Sequence, residues 1–383
     1  MEFLEFLWES IAQTYALDPN LLWKQALMII LGGVLIYLAI KKDMEPTLLL
    51  PMGFGAILVN LPMSGVLTNG GELGALDVLF TAGIELGELF PLLLFIGIGA
   101  MIDFAPILSN PKLMLFGAAS QFGIFMTLCI ASIFFPIEEA GTIGIIGAAD
   151  GPTAIMVGKI LLAEDSTILG AVMVAAYSYM ALVPIIQPPV IKLLTTKKER
   201  LIRMQYKGKK ITKLTKILFP IFVTIIAGII APKSVSLVGF LMFGNLIREC
   251  GVLDNLSNTA QQTLANLITL LLGITIATQM RADDFIRVET LLVIGLGLFA
   301  FIFDTAGGVL FAKLYNVFAK EKINPMIGAA GISAFPMSGR VIHKMGLKED
   351  PQNFLLMHSM AVNVSGQIAS VIAGGLILSL IGG

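Results

Sequence analysis

Residues 144–155, Gly-Ile-Ile-Gly-Ala-Ala-Asp-Gly-Pro-Thr-Ala-Ile, set an ionisable Asp150 beside the helix-breaking pair Gly151-Pro152 inside a long apolar region. The chain is 56% hydrophobic and only 13% charged, with mean hydropathy +0.89. A soluble domain carries roughly a quarter charged residues, so this composition describes a polytopic membrane protein. A carboxylate at bilayer depth costs about 2.5–3.5 kcal/mol on insertion scales. Proline there removes a backbone donor and frees a carbonyl one turn upstream. Unwound backbone persists at that depth only where protein buries it or where it lines a wet cavity. Asp150 therefore reads as a cation site on a broken helix, and the other segments are expected to shelter it.

Other chemistries find little support. Cys129 and Cys250 sit in or beside apolar runs, so neither a disulfide framework nor a thiolate metal site follows. His343 and His358 are the only histidines, which argues against a histidine-ligated metal. Glu2, Glu5 and Glu9 stand where a signal peptide needs basic residues, so no cleaved signal is expected. Trp8 and Trp23 suit an interfacial anchor or ordinary packing equally well. Nothing points to nucleic acid.

In chain order, an amphipathic segment over residues 1–20 precedes a first repeat over 21–190, a basic linker over 191–216 and a second repeat over 217–383. Hydropathy predicts spans near 22–40, 46–63, 86–102, 113–135 and 168–190, then near 217–231, 235–250, 262–280, 290–315 and 353–380. Residues 64–85 read as a loop plus a partial helix. The linker holds ten Lys/Arg against one acid, Glu199, and reads as a solvated strip facing lipid headgroups. Two Gly/Pro-rich stretches, 142–163 and 324–340, read as re-entrant hairpins. Ile146-Gly147-Ala148-Ala149 recurs 181 positions later as Ile327-Gly328-Ala329-Ala330.

Charge placement tests this arrangement. With the N-terminus outside and both Gly/Pro stretches re-entrant, 20 Lys/Arg fall on the cytoplasmic side and 5 outside, a strong positive-inside bias. If both stretches crossed the bilayer, the basic linker would lie outside. The fold class expected is thus all-α, with about ten transmembrane helices in two inverted repeats, each with a broken-helix hairpin. Inverted repeats with broken helices near the midplane mark transporters.

Several blocks carry a family resemblance. Gly147 to Thr153 (Gly-Ala-Ala-Asp-Gly-Pro-Thr), Ala175 to Pro184 (Ala-Ala-Tyr-Ser-Tyr-Met-Ala-Leu-Val-Pro), Gln187-Pro188-Pro189 and Pro51 to Asn60 are four of them. Asn324 to Gly328, Ser333 to Met337 and Pro351 to His358 complete the set. Together they resemble the membrane β subunit of the biotin-dependent, sodium-pumping decarboxylases: the oxaloacetate, methylmalonyl-CoA and glutaconyl-CoA enzymes. The resemblance runs over nearly the whole chain after about residue 25. It implies that carboxybiotin is decarboxylated and sodium exported across the inner membrane of a bacterium. The implied partners are a carboxyltransferase, a biotin carrier protein, a small single-span membrane subunit and further copies of the chain, in lipid. By the same resemblance Asp150, with Thr153 and Asn363, would bind sodium. Tyr179 would take part in proton delivery. Asn324, Gly328, Ser333 and Arg340 would meet the carboxybiotin.

The residues themselves leave simpler readings open. Asp150 supplies charge, and Thr153 and Asn363 neutral oxygens, for a hard cation; alternatively Asp150 only caps a half-helix. Tyr177 and Tyr179 face directions about 200° apart on a helix, so both cannot line one cavity. Asp304 is a second intramembrane carboxylate, either functional or paired with a base. Asp103 reads as a solvated boundary residue, and His358 as a buried, bonded histidine or a proton relay. Arg340 suits an anionic carboxybiotin, which a guanidinium matches bidentately, or anchors a membrane edge. The rival function is a sodium-coupled secondary transporter of an organic anion, without decarboxylation.

Overall fold

The computed structural model describes residues 19–62, 64–69, 71–163, 166–205, 208 and 210–382. The expected amphipathic segment, with Trp8, lies outside the described residues except at Pro19 and Asn20, where the first helix begins. Among the described residues no strand forms; Asn69 and Glu72 make an isolated bridge.

Among the described residues seven helices are long and apolar enough to cross a bilayer, or eight if Ala75–Glu85 and Leu89–Met101, bent by 64°, form one span. Two of the ten expected spans form short helices. Pro46–Asn60 and Val235–Glu249 have 15 residues each, about 22 Å of helix against a hydrocarbon core of about 30 Å. Pro62 follows the first of them, and the charged pair Arg248-Glu249 closes the second. Residues 75–85, expected as loop and partial helix, are helical until Gly87 and Glu88 adopt positive φ and turn the chain.

Contacts divide the chain into two compact units, each drawing on both sides of the basic linker. The first comprises residues up to Phe90 with Leu267–Leu292. In it α1 (Pro19–Lys42) packs along α2 (Pro46–Asn60). Asn60 closes α2 against a neighbouring turn, donating from Nδ2 to the Met280 carbonyl at 2.8 Å and accepting from the Ala282 amide at 2.8 Å.

The second unit comprises Pro91–Asn266 and Val293–Gly383. Its parts include α3 (Met114–Ser120), α4 (Phe122–Ala131), α5 (Ile137–Gly144), α6 (Gly151–Leu161), α7 (Thr167–Leu194), α8 (Val288–Phe318, from Val293 onward), α9 (Met337–Glu349) and α10 (Leu356–Ile381). The apolar windows of α7 and α10 are 67% buried, whereas that of Lys213–Ile230 is 11% buried. The first two are therefore core helices and the third presents Ile225, Ile226, Ile229 and Ile230 to lipid. Small residues let α10 enter the core: Ser365, Gly366, Ser370, Ala373 and Gly374 keep its backbone close to its neighbours.

Two bent segments meet α10. In the first, α5 runs into a tight turn over Ile145–Ala148, Ala149 takes the left-handed conformation, and α6 leaves from Asp150. The two arms lie side by side, with Gly141 near Leu161 and Gly158 near Thr142. In the second, a tight turn over Pro325–Gly331 follows Asn324, and α9 leaves after Pro336. The carbonyls of this second turn are met one after another by side chains. Ser120 donates to Gly328 (3.1 Å), Gln187 to Ala329 (2.7 Å), Asn363 to Ala330 (3.0 Å) and Ile332 (2.7 Å), and Gln121 to Gly331 (3.2 Å). The turn fits against α8 only because Gly308 and Gly328 face each other; a Cβ on Gly328 would stand 2.0 Å from the Gly308 carbonyl.

The linker is not wholly a solvated strip. Thr196 and Glu199 form a capping box on the short helix Lys197–Arg200. Arg200 then pairs with Glu349 at 2.8 Å, Arg203 pairs with Asp350, and Lys313 pairs with Glu199 at 3.2 Å. The Arg200 carbonyl accepts from both Asn324 and Asn353. The Arg203 guanidinium holds the Asp350 carboxyl below the usual carboxylate range. A depressed pKa stabilises the folded clasp at neutral pH, and that contribution is lost as pH falls through the lowered value. We expect combined Arg200→Ala and Arg203→Ala substitution to speed proteinase K cleavage within residues 195–205 several-fold at pH 7. The same loosening is expected in the unmodified chain only in acid below the ordinary carboxylate range.

Candidate functional site

The two bent segments touch at their tips. The Ser333 amide donates to the Ala148 carbonyl at 2.9 Å, joining a residue of the second tip to the first. Both tips lie against α10, whose Asn363, Gln367 and Ser370 fall at i, i+4 and i+7 and so share one face.

Asp150 is 3% exposed and sits at the start of α6 as its N-cap. Its Oδ1 accepts weakly from the Thr153 amide at 3.4 Å. Its Oδ2 gathers three donors: Thr153 Oγ1 at 2.8 Å, Ser370 Oγ at 2.8 Å and Gln367 Nε2 at 3.2 Å. Capping α6 therefore occupies one carboxylate oxygen, while the other collects polar groups from a separate helix. A local cap has no need of Ser370 or Gln367. These two residues were not among the expected site residues. Their signal in the sequence was the polar spacing along an otherwise apolar final span, which becomes meaningful only once that face meets Asp150.

Asn363 lies one turn before Gln367. Its Nδ2 is spent on the Ala330 and Ile332 carbonyls, while its Oδ1 is buried without a hydrogen-bond partner among the described residues. Thr153 is fully buried. Thr153 thus adjoins Asp150, Asn363 shares a face of α10 with the partners of Asp150, and a carboxylate, hydroxyls and amide oxygens are the ligand types that a hard cation takes.

The two tyrosines separate as their spacing predicts. Tyr177 covers the first breaker, because a Cβ on Gly151 would stand 2.2 Å from its ring. Its hydroxyl is buried with no hydrogen-bond partner among the described residues. Tyr179 points instead to α8, donating to the Ile294 carbonyl and packing near Phe301.

Of the residues expected to meet carboxybiotin, three are enclosed on or beside the second turn and one is exposed. Asn324 is buried, its Nδ2 donating to the carbonyls of Arg200 (2.8 Å) and Ile202 (3.0 Å) and its Oδ1 accepting from Met326 (3.1 Å). Gly328 is enclosed against Gly308. Ser333 is buried and donates to the Gly366 carbonyl at 3.1 Å. Arg340 alone is exposed, with Lys344 and Lys348 following at i+4 and i+8 on the exposed face of α9. Gln187, at the Gln-Pro-Pro motif in α7, contacts both the Ala329 carbonyl and Ser338. His358 is buried and bonded to the Met204 backbone. It lines a cleft of about 510 Å³ together with Asn110, Arg203, Tyr315, Lys322 and Ile323. Asp103 is partly exposed and pairs with Lys216 at 3.7 Å, as a boundary residue should.

Among the described residues no cluster of three His, Cys, Asp or Glu offers a transition-metal site. A cation at Asp150 would be held by one charge and neutral oxygens. Removing one hydroxyl from such a set costs about 1–1.5 kcal/mol. Ser370→Ala is expected to weaken sodium binding about tenfold in an equilibrium ²²Na⁺ assay without lowering the melting temperature by more than a few degrees.

The sequence profile described as "Na+-transporting oxaloacetate decarboxylase beta subunit" matches residues 24–381. The chain is 47% identical over 378 residues to methylmalonyl-CoA decarboxylase subunit beta of Propionigenium modestum, covering 93% of this chain and 94% of that one. It is 47% identical over 362 residues to glutaconyl-CoA decarboxylase subunit beta of Acidaminococcus fermentans, covering 94% of each. To the oxaloacetate decarboxylase beta chain of Klebsiella pneumoniae it is 42% identical over 416 residues, covering 93% of this chain and 95% of that one.

Proposed function

The chain belongs to the family of Na⁺-transporting oxaloacetate decarboxylase beta subunits, and from that premise we propose that it decarboxylates carboxybiotin and exports sodium at Asp150. It is a multi-pass bacterial membrane protein. The observation that carries the reading is the convergence of Thr153, Gln367 and Ser370 on one oxygen of a buried Asp150. Sodium is the cargo there, and Asn363 Oδ1 is a further ligand.

The chemical step consumes a proton. Loss of CO₂ from an N-carboxylate leaves the electron pair on the biotin nitrogen, which must be protonated as the C–N bond breaks. Carboxybiotin reaches the linker side on a carrier protein loaded by a carboxyltransferase. Arg340, with Lys344 and Lys348 beside it, is the accessible cationic group that would receive the anion. Asn324, Gly328 and Ser333 act by shaping the second tip that joins this surface to the sodium site. Relatives named for three different acids are about equally similar to this chain, which fits selection of the acid by the partner and not by this subunit.

The architecture proposed is two inverted repeats, 21–190 and 217–383, with both bent segments re-entrant. The paired arms of α5 and α6 and the positive-inside count support it. A small single-span subunit and further copies of the chain complete the assembly. The relatives named above are all decarboxylase beta subunits, which does not favour the transporter reading without decarboxylation.

In proteoliposomes, Asp150→Asn is expected to abolish sodium-dependent decarboxylation of free carboxybiotin; full sodium-coupled activity in that variant would overturn the assignment. Arg340→Ala should raise KM for carboxybiotin about tenfold, the scale of one lost charge-assisted contact. The tyrosines should separate: Tyr179→Phe slowing decarboxylation, as proton delivery requires, and Tyr177→Phe altering mainly the sodium dependence. Avidin capture of the purified complex should recover a biotinylated partner.

A further inference from the structure

Asp304 lies near the middle of α8 and is fully buried, yet the site at Asp150 makes no use of it. Its Oδ1 accepts the Ile124 amide at 3.1 Å. Ile124 is the third residue of α4, a helix that restarts at Phe122 after the break at Gln121. The carboxylate thus caps the positive end of a helix from a neighbouring element. Its Oδ2 is buried with no hydrogen-bond partner among the described residues. That oxygen lies against the first tip, for a Cβ on Gly147 would stand 2.8 Å from it. Asp150 follows Gly147 by three residues, so two carboxylates border one short turn, one approached by α10 and the other carried by α8.

A structural cap does not account for this arrangement. One accepting oxygen suffices to cap α4, and Asn, Ser or Thr supplies it without an ionisable proton. A carboxylate oxygen left bare in the interior carries the full cost of buried charge unless a proton or a cation neutralises it. The hydroxyls of Thr127 and Thr305 are likewise buried without hydrogen-bond partners among the described residues. Thr305 adjoins Asp304. Thr127 lies one turn beyond Gly123, whose Cβ would stand 2.5 Å from Asp304 Oδ1. Of the elements packed here, α4 brings only the exposed Cys129 as a titratable group and the turn brings only Asp150.

We propose that Asp304 is a second cation-exchanging carboxylate, whose Oδ2 takes one monovalent cation, a proton or a sodium ion, when the first tip seats against α8. With the cation bound, Gly147 lies directly on a neutral Asp304. Loss of the cation leaves a bare buried charge, relieved when the turn withdraws and water reaches Oδ2. Asp150 rides on the same turn, so occupancy of one carboxylate biases the other through a shared element. The inference goes beyond the Asp150 assignment and does not rest on it.

The test uses the full chain in detergent micelles without carboxybiotin. Equilibrium ²²Na⁺ binding and dye-detected proton exchange on sodium addition are compared in wild type, Asp304→Asn and Asp150→Asn. Asp304→Asn retains the Oδ1 cap and is expected to fold. A loss of one bound sodium per chain identifies sodium at Asp304. Loss of about one sodium-linked proton, with sodium stoichiometry unchanged, identifies the proton. Wild-type values for both in a folded Asp304→Asn variant overturn the proposal. Should that variant fail to fold, Gly147→Ala sets a methyl against Oδ2 and leaves the carboxylate in place. It must shift the midpoint of the same signal several-fold, and a wild-type midpoint overturns the proposal. Failure of the Asp150 assignment would appear separately, as undiminished sodium binding in Asp150→Asn.

Discussion

The architecture depends on satisfying backbone that is unwound in the buried interior of a membrane protein. Water is absent there, and each carbonyl left without a donor costs several kcal/mol. Over residues 328–332 the second turn spends Ser120, Gln121, Gln187 and Asn363 on its carbonyls. These donors come from the α3–α4 break, from α7 and from α10, so the helices are tied together around the turn. The polar residues of these apolar spans are, in the first place, the price of that irregular segment.

The first tip is built differently. There the side chain of Asp150 gathers donors from α6 and α10. Since a carboxylate accepts and does not donate, it attracts hydroxyl and amide groups that can rotate their oxygens toward a cation. The Ser333–Ala148 hydrogen bond joins the two tips. The region around Asp150 and the second turn are thereby in direct contact. The clasp of Arg200 and Arg203 on Glu349 and Asp350 fastens the linker to the end of α9.

Much of this was legible beforehand where chemistry is local. An Asp beside Gly-Pro in an apolar run is costly enough to demand a function, and Asp150 with Thr153 follows from three residues of spacing. The opposed directions of Tyr177 and Tyr179 follow from helix geometry alone. Gln367 and Ser370 did not stand out, because serine and glutamine in a final span have many uses and their partner is 217 and 220 residues away. Span length was overestimated at 46–63, where hydropathy continues past the residues that end the helix.

The sequence by itself determined the membrane class, the two broken segments and the buried charge, because each follows from composition or from neighbours a few residues apart. Tertiary structure alone decided which polar groups surround Asp150, that Asn324, Gly328 and Ser333 support a turn while Arg340 stays accessible, and that Asp304 keeps one oxygen bare beside the same tip. Those outcomes depend on which helix faces meet, and that is set by close approach at small residues such as Gly308 and Gly328. No local pattern in the chain records such a meeting.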